Sequence, residues 1–333
     1  MLGYSYLNGS GVVRMITLQQ ALDDQRDLNK LIQPRFEYHH EIYRPNDNYG
    51  FAFILKTYAD LPLDCAIMAA IPHGIYLMDK VVPKSELDAP LKAILSYPPY
   101  LTPLWKKYAK GKSVIPIASP IHYALKLFKN EVDAMNRKGT LFIPPHNTAA
   151  VKAKYDIDCA IRILKTLPNE QQPVTVCVHW YDLTQDLHQP YLDAGFNVVC
   201  AGHMTDVDHL FRWLHIASMH KQVLCCGIGS SLFYASAMGV PCRLLKEPVT
   251  YEPLPNIQLN NKAGKEYTVA GMARINNIQR TFSRCSDQVT AEQTEMTRYM
   301  TQADLIQSPD QLKRMLLPVV KNRSSINQNK ISA

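Results

Sequence analysis

An α/β protein with two parallel-sheet units facing across a cleft is what this sequence predicts, and three observations carry it. Short, β-branched apolar runs alternate with helix-patterned segments between Pro173 and Leu245. Parallel strands need such crossovers, and right-handed crossovers place helices on both faces of a sheet. The same alternation runs, less cleanly, through the first half. At 333 residues the chain also exceeds the size at which a single core usually stops growing, so two domains are expected.

The second half gives the clearer elements. Pro173–Val178 reads as a strand, 186–194 as a helix closed by Gly195, and Phe196–Cys200 as a strand. Val207, Leu210, Phe211, Leu214 and Ala217 recur at helical spacing, so 206–220 reads as a helix. Gln222–Cys226 is a strand, 232–238 a helix stopped by Gly239 and Pro241, and Cys242–Leu245 a strand. In the first half, 65–70, 93–97, 113–117 and 140–143 read as strands, 51–58 as strand or helix, and 121–128 and 133–136 as helices or turns. The first sheet is expected to end near residue 145, and the second to run from about 173 to 246. Residues 291–307 and 309–317 suggest terminal helices, with 321–333 a polar tail.

Composition narrows the classes. A 47% apolar fraction excludes a disordered or fibrous chain. The net charge of +7 suits an anionic ligand or an acidic membrane surface, and nucleic acid is not among the expected partners. No run reaches the roughly 18 apolar residues of a membrane-spanning helix, and Met1–Gly11 has no signal-peptide pattern. A cytoplasmic protein is expected. The eight cysteines include no C-x-x-C pair, and Cys177, Cys200, Cys225 and Cys226 lie in strand-like runs as core thiols. Two basic groups read either as solvated faces or as contacts for an anionic surface, the first for an anionic lipid or glycan acceptor and the second for the membrane. One is Lys106, Lys107, Lys110 and Lys112 with Trp105 and Tyr108; the other is Lys313, Arg314, Lys321 and Arg323.

Chemistry gathers at strand ends, where ligands bind in open α/β sheets. Gly227-Ile-Gly-Ser-Ser231 joins a strand to a helix. Its glycines permit a tight turn, the helix start offers free N–H groups and a positive dipole end, and the serines add hydroxyls. It reads either as a phosphate cradle formed by Gly227, Gly229, Ser230 and Ser231 or as a plain Ser cap. Leu232 excludes the G-x-G-x-x-G fingerprint, and Phe233 excludes a G-x-S-x-G elbow. His73, His146, His179 and His203 each follow a strand, where imidazoles can donate to a phosphate or move protons. Asp47, in Arg44–Gly50, reads either as a base or as an Asx turn. No metal site is expected: His209, His215 and His220 are off the i, i+4 spacing, and His39-His40-Glu41 lacks the second His of H-E-x-x-H.

Residues 45–246 resemble the GT-B glycosyltransferases that build bacterial surface polysaccharides, including capsule and lipopolysaccharide. VHWYDL (178–183) and FNVVCAGHMTDVDHLFRWLHIASMHKQVLCCGIGSSLFYASAMGVP (196–241) are similar to the donor domain. NDNYGFAFILKTYADLP (46–62), AIPHGIYL (70–77) and GTLFIPPHN (139–147) are similar to the acceptor side. The resemblance implies a GT-B-like fold of two Rossmann-like domains. Residues 1–150 would form the acceptor side, 151–290 the donor domain, and 291–333 terminal helices and tail. It further implies that His179 and Ser230-Ser231 hold a CMP phosphate, although Trp180 stands where the family's His-Pro signature has Pro. The implied donor is a CMP-linked nonulosonic acid or Kdo, with a UDP- or GDP-sugar next, and the acceptor is a glycan or lipid-linked glycan. Asp47 or His73 would be the base. No cofactor or metal is implied, and a closing motion would exclude water. A nucleotide-sugar epimerase or hydrolase and a non-catalytic binding module are the alternatives.

Overall fold

A computed structural model describes residues 27–36, 40–132, 136–245, 249–253 and 267–322. The readings made on Met1–Gly11, on His39, on Asp133–Met135 and on Arg323–Ala333 lie outside them. The first half supplies β1 (Cys65–Ile67), β2 (Ala69–Ala70), β3 (Ala93–Ser96) and β4 (Ser113–Pro116). Then come β5 (Thr140–Ile143), β6 (Val151–Lys154), β7 (Val174–Cys177), β8 (Asn197–Val199), β9 (Gln222–Cys225), β10 (Cys242–Leu244), β11 (Thr250–Pro253) and β12 (Val320–Asn322).

Two sheets are parallel. β2, β3 and β4 form the smaller, and the larger has the order β10-β9-β5-β7-β8. The chain enters the larger sheet at its centre and winds out through β7 and β8. It then returns to the other side of β5 and winds out through β9 and β10, a doubly wound arrangement that reverses between β5 and β9. Thr140–Ile143, grouped by sequence with the first sheet, is therefore the middle of the second. Leu141 pairs with Thr175 on one side and Val223 on the other. The physical reason lies in the side chains. Leu141 enters the core shared with the first half, while Phe142 enters a separate core on the opposite face. A strand apolar on both faces belongs inside a sheet.

Other differences have local causes. The strand expected over 65–70 breaks at Met68, whose N–H donates to the Val319 carbonyl. β1 then pairs antiparallel with β12, and β2 pairs with β3. The helix expected over 186–194 shrinks to Gln189–Asp193, because Asp186 takes φ 55° and Pro190 enters the first turn. The helix expected over 206–220 begins at His209, after a turn in which Asp206 Oδ1 accepts the Asp208 N–H. Residues 51–58 are helical. The helix Val269–Phe282 and the antiparallel pair β6–β11 were not foreseen. Capping boxes at Thr290/Gln293 and Ser308/Gln311 start the helices Ala291–Thr301 and Pro309–Leu316. The chain then returns to the first half as β12, and Lys313 of the terminal basic group binds Asp60. Cys177, Cys200, Cys225 and Cys226 are buried free thiols. Among the described residues no helix is long and apolar enough to cross a membrane.

The segment Arg44–Gly50 joins the halves. Tyr49 and Gly50 have φ of 58° and 74°. The Tyr49 N–H donates to the Met204 carbonyl at 2.6 Å, and a Cβ on Gly50 would lie 2.2 Å from the Val207 carbonyl oxygen. Only glycine permits that approach. Asn46 spans the break between β1 and β2, donating to the Ile67 and Ala69 carbonyls and accepting the Ile71 N–H. Beside it, Lys56 Nζ lies 2.9 Å from Glu41 Oε1 and also donates to the Leu63 and Cys65 carbonyls. Glu41 Oε2 accepts the Ile67 N–H.

This buried pair is hydrogen-bonded on both sides, so losing one partner strands a charge, at a cost of about 3–5 kcal/mol. Lys56→Met is expected to lower the unfolding free energy in urea by about 3 kcal/mol or more, and Glu41→Gln in the same background to return part of it. A loss below about 1 kcal/mol in the single variant would mean that the pair is not a structural support.

Candidate active site

A cavity of about 410 Å³ lies where the carboxyl ends of β5, β7 and β9 face the loop after β2. It is the place where the larger sheet reverses its winding, so the chains leaving β5 and β9 diverge and open a crevice. Of the residues singled out by sequence, His73, His146, His179, Gly227, Gly229, Ser230 and Ser231 line it. A second cavity of about 380 Å³ adjoins it across Pro144, Pro145 and Val178, with Asp182 and Lys152 in its wall.

One wall suits an anion. Gly229, not a serine, is the cap residue of the helix Ser230–Ala237, and no side chain caps that end. The Ser230 and Ser231 N–H groups precede the helix's own bonding, whereas the Leu232 N–H donates to the Gly229 carbonyl. Ser230 Oγ accepts the Ile75 N–H from the opposite half at 3.0 Å, which fixes the oxygen and leaves the hydroxyl hydrogen to be donated. Both ring nitrogens of His179 are shielded from solvent and have no hydrogen-bond partner among the described residues. Its ring lies 4.4 Å from that of His146. Burial, then the imidazoles of His146, His209 and His203, hold the His179 pKa well below 6.5. The ring is neutral at pH 7, one N–H donor and one acceptor. Tyr251 of β11 leans over this wall, its hydroxyl 3.1 Å from where a Gly227 Cβ would stand.

The facing wall carries His73. Its side chain is 43% exposed in the cleft, and its Nδ1 lies 3.1 Å from the Tyr76 hydroxyl. That hydroxyl donates to buried Glu86 at 2.6 Å. Burial lowers the His73 pKa, and the Glu86 charge opposes the shift. Sequence reasoning missed Tyr76 and Glu86. Glu86 sits in KSELD, a polar stretch that reads as surface, and only the fold turns it inward. It also missed His209, which lines the cavity and donates from Nδ1 to the Gly202 carbonyl. Burial pushes the His209 pKa down to about 4.

Two expected site residues stand away from the cavity. Asp47 is buried beside Glu41 and Lys56, under the Arg44–Gly50 turn, and does not line the cleft. His203 lies one layer back: its Nδ1 meets the Thr205 hydroxyl, and its ring packs 4.0 Å from that of Trp180, which does line the cavity. The basic, aromatic patch also divides. Trp105 is fully buried and Lys112 binds backbone carbonyls, leaving Lys106, Lys107, Lys110 and Tyr108 at the surface. His215 and His220 are buried in or just beyond the helix His209–Ser218, and neither lines the cavity.

No protein-family model and no curated protein matches the chain. Among solved structures it is similar to one described as "Crystal structure of GtfA/B complex", at 11% identity and a TM-score of 0.31. The match covers 79% of this chain and 53% of the other, so this chain spans about half the length of that neighbour. A similarity of this size does not establish a shared fold.

Asp47 makes a pH signature. Burial, then the Glu41 charge, raise its pKa from 3.8 to about 7. The fold favours the neutral acid, so its contribution to stability is complete below about pH 4 and declines as pH rises to about 7. Asp47→Asn removes that penalty. The variant is expected to gain on the wild type in urea melts between about pH 4 and pH 7, and to hold a constant advantage above. A difference that does not change with pH would show that Asp47 ionises normally in the fold.

Proposed function

We propose that the chain is a glycosyltransferase of GT-B type, acting on a nucleotide-activated sugar whose phosphate sits against Ser230, Ser231 and His179. One observation carries the reading: an anion-binding wall and a hydrogen-bonded imidazole, His73, face each other across a single cavity at the sheet's reversal point. Group transfer from a phosphate-linked donor needs both. Asp47, the other candidate base, lies outside the cleft, so His73 takes that role.

The step follows from these positions. As the acceptor oxygen attacks the anomeric carbon, its proton passes to His73, and the bond from that carbon to the phosphate oxygen breaks. The electron pair stays on the phosphate. Its growing charge meets the Ser230 and Ser231 N–H groups at the helix start, their hydroxyls and a His179 N–H. A positioned base contributes about 10²–10⁴-fold to such a step.

The donor wall offers neutral groups and about half a positive charge from the helix. That balance suits one phosphate carrying one negative charge, which favours a CMP-linked sugar such as a nonulosonic acid or Kdo over a diphosphate donor. The adjoining cavity at Asp182 gives the nucleoside a place next to it. The acceptor is a glycan or lipid-linked glycan, reaching the cleft from the His73 side.

Replacing Ser230 and Ser231 together by Ala is expected to weaken CMP binding by about tenfold or more, since a hydrogen bond to a charged group contributes roughly 1.5–3 kcal/mol. Cytidine, which lacks the phosphate, is the control in the same calorimetric titration. Loss for CMP alone supports a phosphate site. Equal losses for both ligands, or none for either, would remove the donor from this wall.

A further inference from the structure

We propose that Glu86 is a positioning residue: through the Tyr76 hydroxyl it holds His73 with hydrogen on Nδ1 and leaves the Nε2 lone pair to the cleft. The inference rests on His73 as the base of the proposed transfer and adds two groups that reading does not use.

The argument is a donor count. Tyr76 has one hydroxyl hydrogen, and its oxygen lies 2.6 Å from Glu86 Oε1 and 3.1 Å from His73 Nδ1. An ionised carboxylate only accepts, so the phenol hydrogen points to Glu86. Toward His73 the phenol oxygen is then an acceptor, and Nδ1 must supply the hydrogen. The tautomer is fixed without any ligand. Nε2, on the other side of the ring, keeps the pair that can take a proton.

Glu86 is built for this. Its side chain is 2% exposed, Ser85 Oγ donates to Oε2, and Lys112 Nζ donates to its backbone carbonyl at 2.9 Å. From the neighbouring elements the phenols of Tyr43 and Tyr97 lie within reach of its charge; burial chiefly raises both of their pKa values, and the Glu86 charge adds to it. Tyr97 also donates to the Pro72 carbonyl, which steadies the turn that presents His73. Glu86 Oε1 stands 4.0 Å from His73 Nδ1. When Nε2 takes a proton, the imidazolium forms beside this carboxylate, which stabilises it.

Nitrogen NMR of the ring-labelled, ligand-free protein tests the relay, with His73 assigned through the signal lost in His73→Asn. The wild type is expected to show the Nδ1–H tautomer. Tyr76→Phe should lose that preference, and Glu86→Gln should move the His73 titration to lower pH by roughly one unit. An unchanged tautomer and midpoint in both variants overturns the proposal. Should Glu86→Gln fail to fold, Tyr76→Phe, which keeps the ring, decides alone by the same signals. None of this needs turnover. Full transferase activity in His73→Asn would therefore overturn the role of His73 as base, whereas an unlocked tautomer in the wild type would overturn the relay.

Discussion

The backbone contact between Gly50 and the Val207 carbonyl is the constraint on which the site depends. It sets the helix Phe51–Tyr58 against the larger sheet's loops, and with it the turn after β2. Two further ties fix that turn across the cleft. Ile75 N–H meets Ser230 Oγ, and Asp79 accepts from both the backbone and the side chain of Thr268 at the start of the helix Val269–Phe282. Gly271 makes room, because a Cβ there would lie 2.3 Å from the Asp79 carboxylate. A cavity with opposed walls results, held by atoms far apart in sequence.

The α/β class and the strands of the second half were legible because β-branched runs between glycine and proline stops leave few alternatives. Gln222–Cys225 and Cys242–Leu244 fall almost where the pattern puts them. Strand order was not legible. Whether Thr140–Ile143 joins the sheet before it or after it depends on pairing across about 80 residues, and its own four residues say only that both faces are apolar. The strand-end rule found most of the cavity, since it is a property of topology. His73, His146 and His179 line the cavity, and His203 lies behind it because that loop folds back against Leu31 and Trp180. Asp47 showed a turn-forming context, and the fold adds burial beside Glu41 and Lys56, which its own sequence neighbours do not reveal. Glu86 gave no signal, since burying a carboxylate from a polar helix is a tertiary event.

Among the described residues, the cleft wall that would meet an anion on the proposed reading offers dipoles and no full positive charge. His146, His179 and His209 are all pushed toward their neutral forms by burial. A neutral imidazole still donates one hydrogen bond, and it does so without the desolvation cost of a charge. On the proposed reading, such a wall would meet the charge that grows on a leaving phosphate with oriented dipoles.

The shared core has a mechanical consequence. Apolar packing passes without interruption from Phe51 and Ile54 of the first half to Leu214, Phe233 and Leu244 of the second. Prising the walls apart would expose that seam, at about 2.5 kcal/mol for each 100 Å² of apolar surface wetted. Among the described residues, a closing motion between the halves would have to work against this seam. Tyr251 and His73, from different halves of the chain, both line the cavity that the seam supports. On the proposed reading, a donor would displace water from a cavity whose walls share one core, so its fit to those walls would set selectivity.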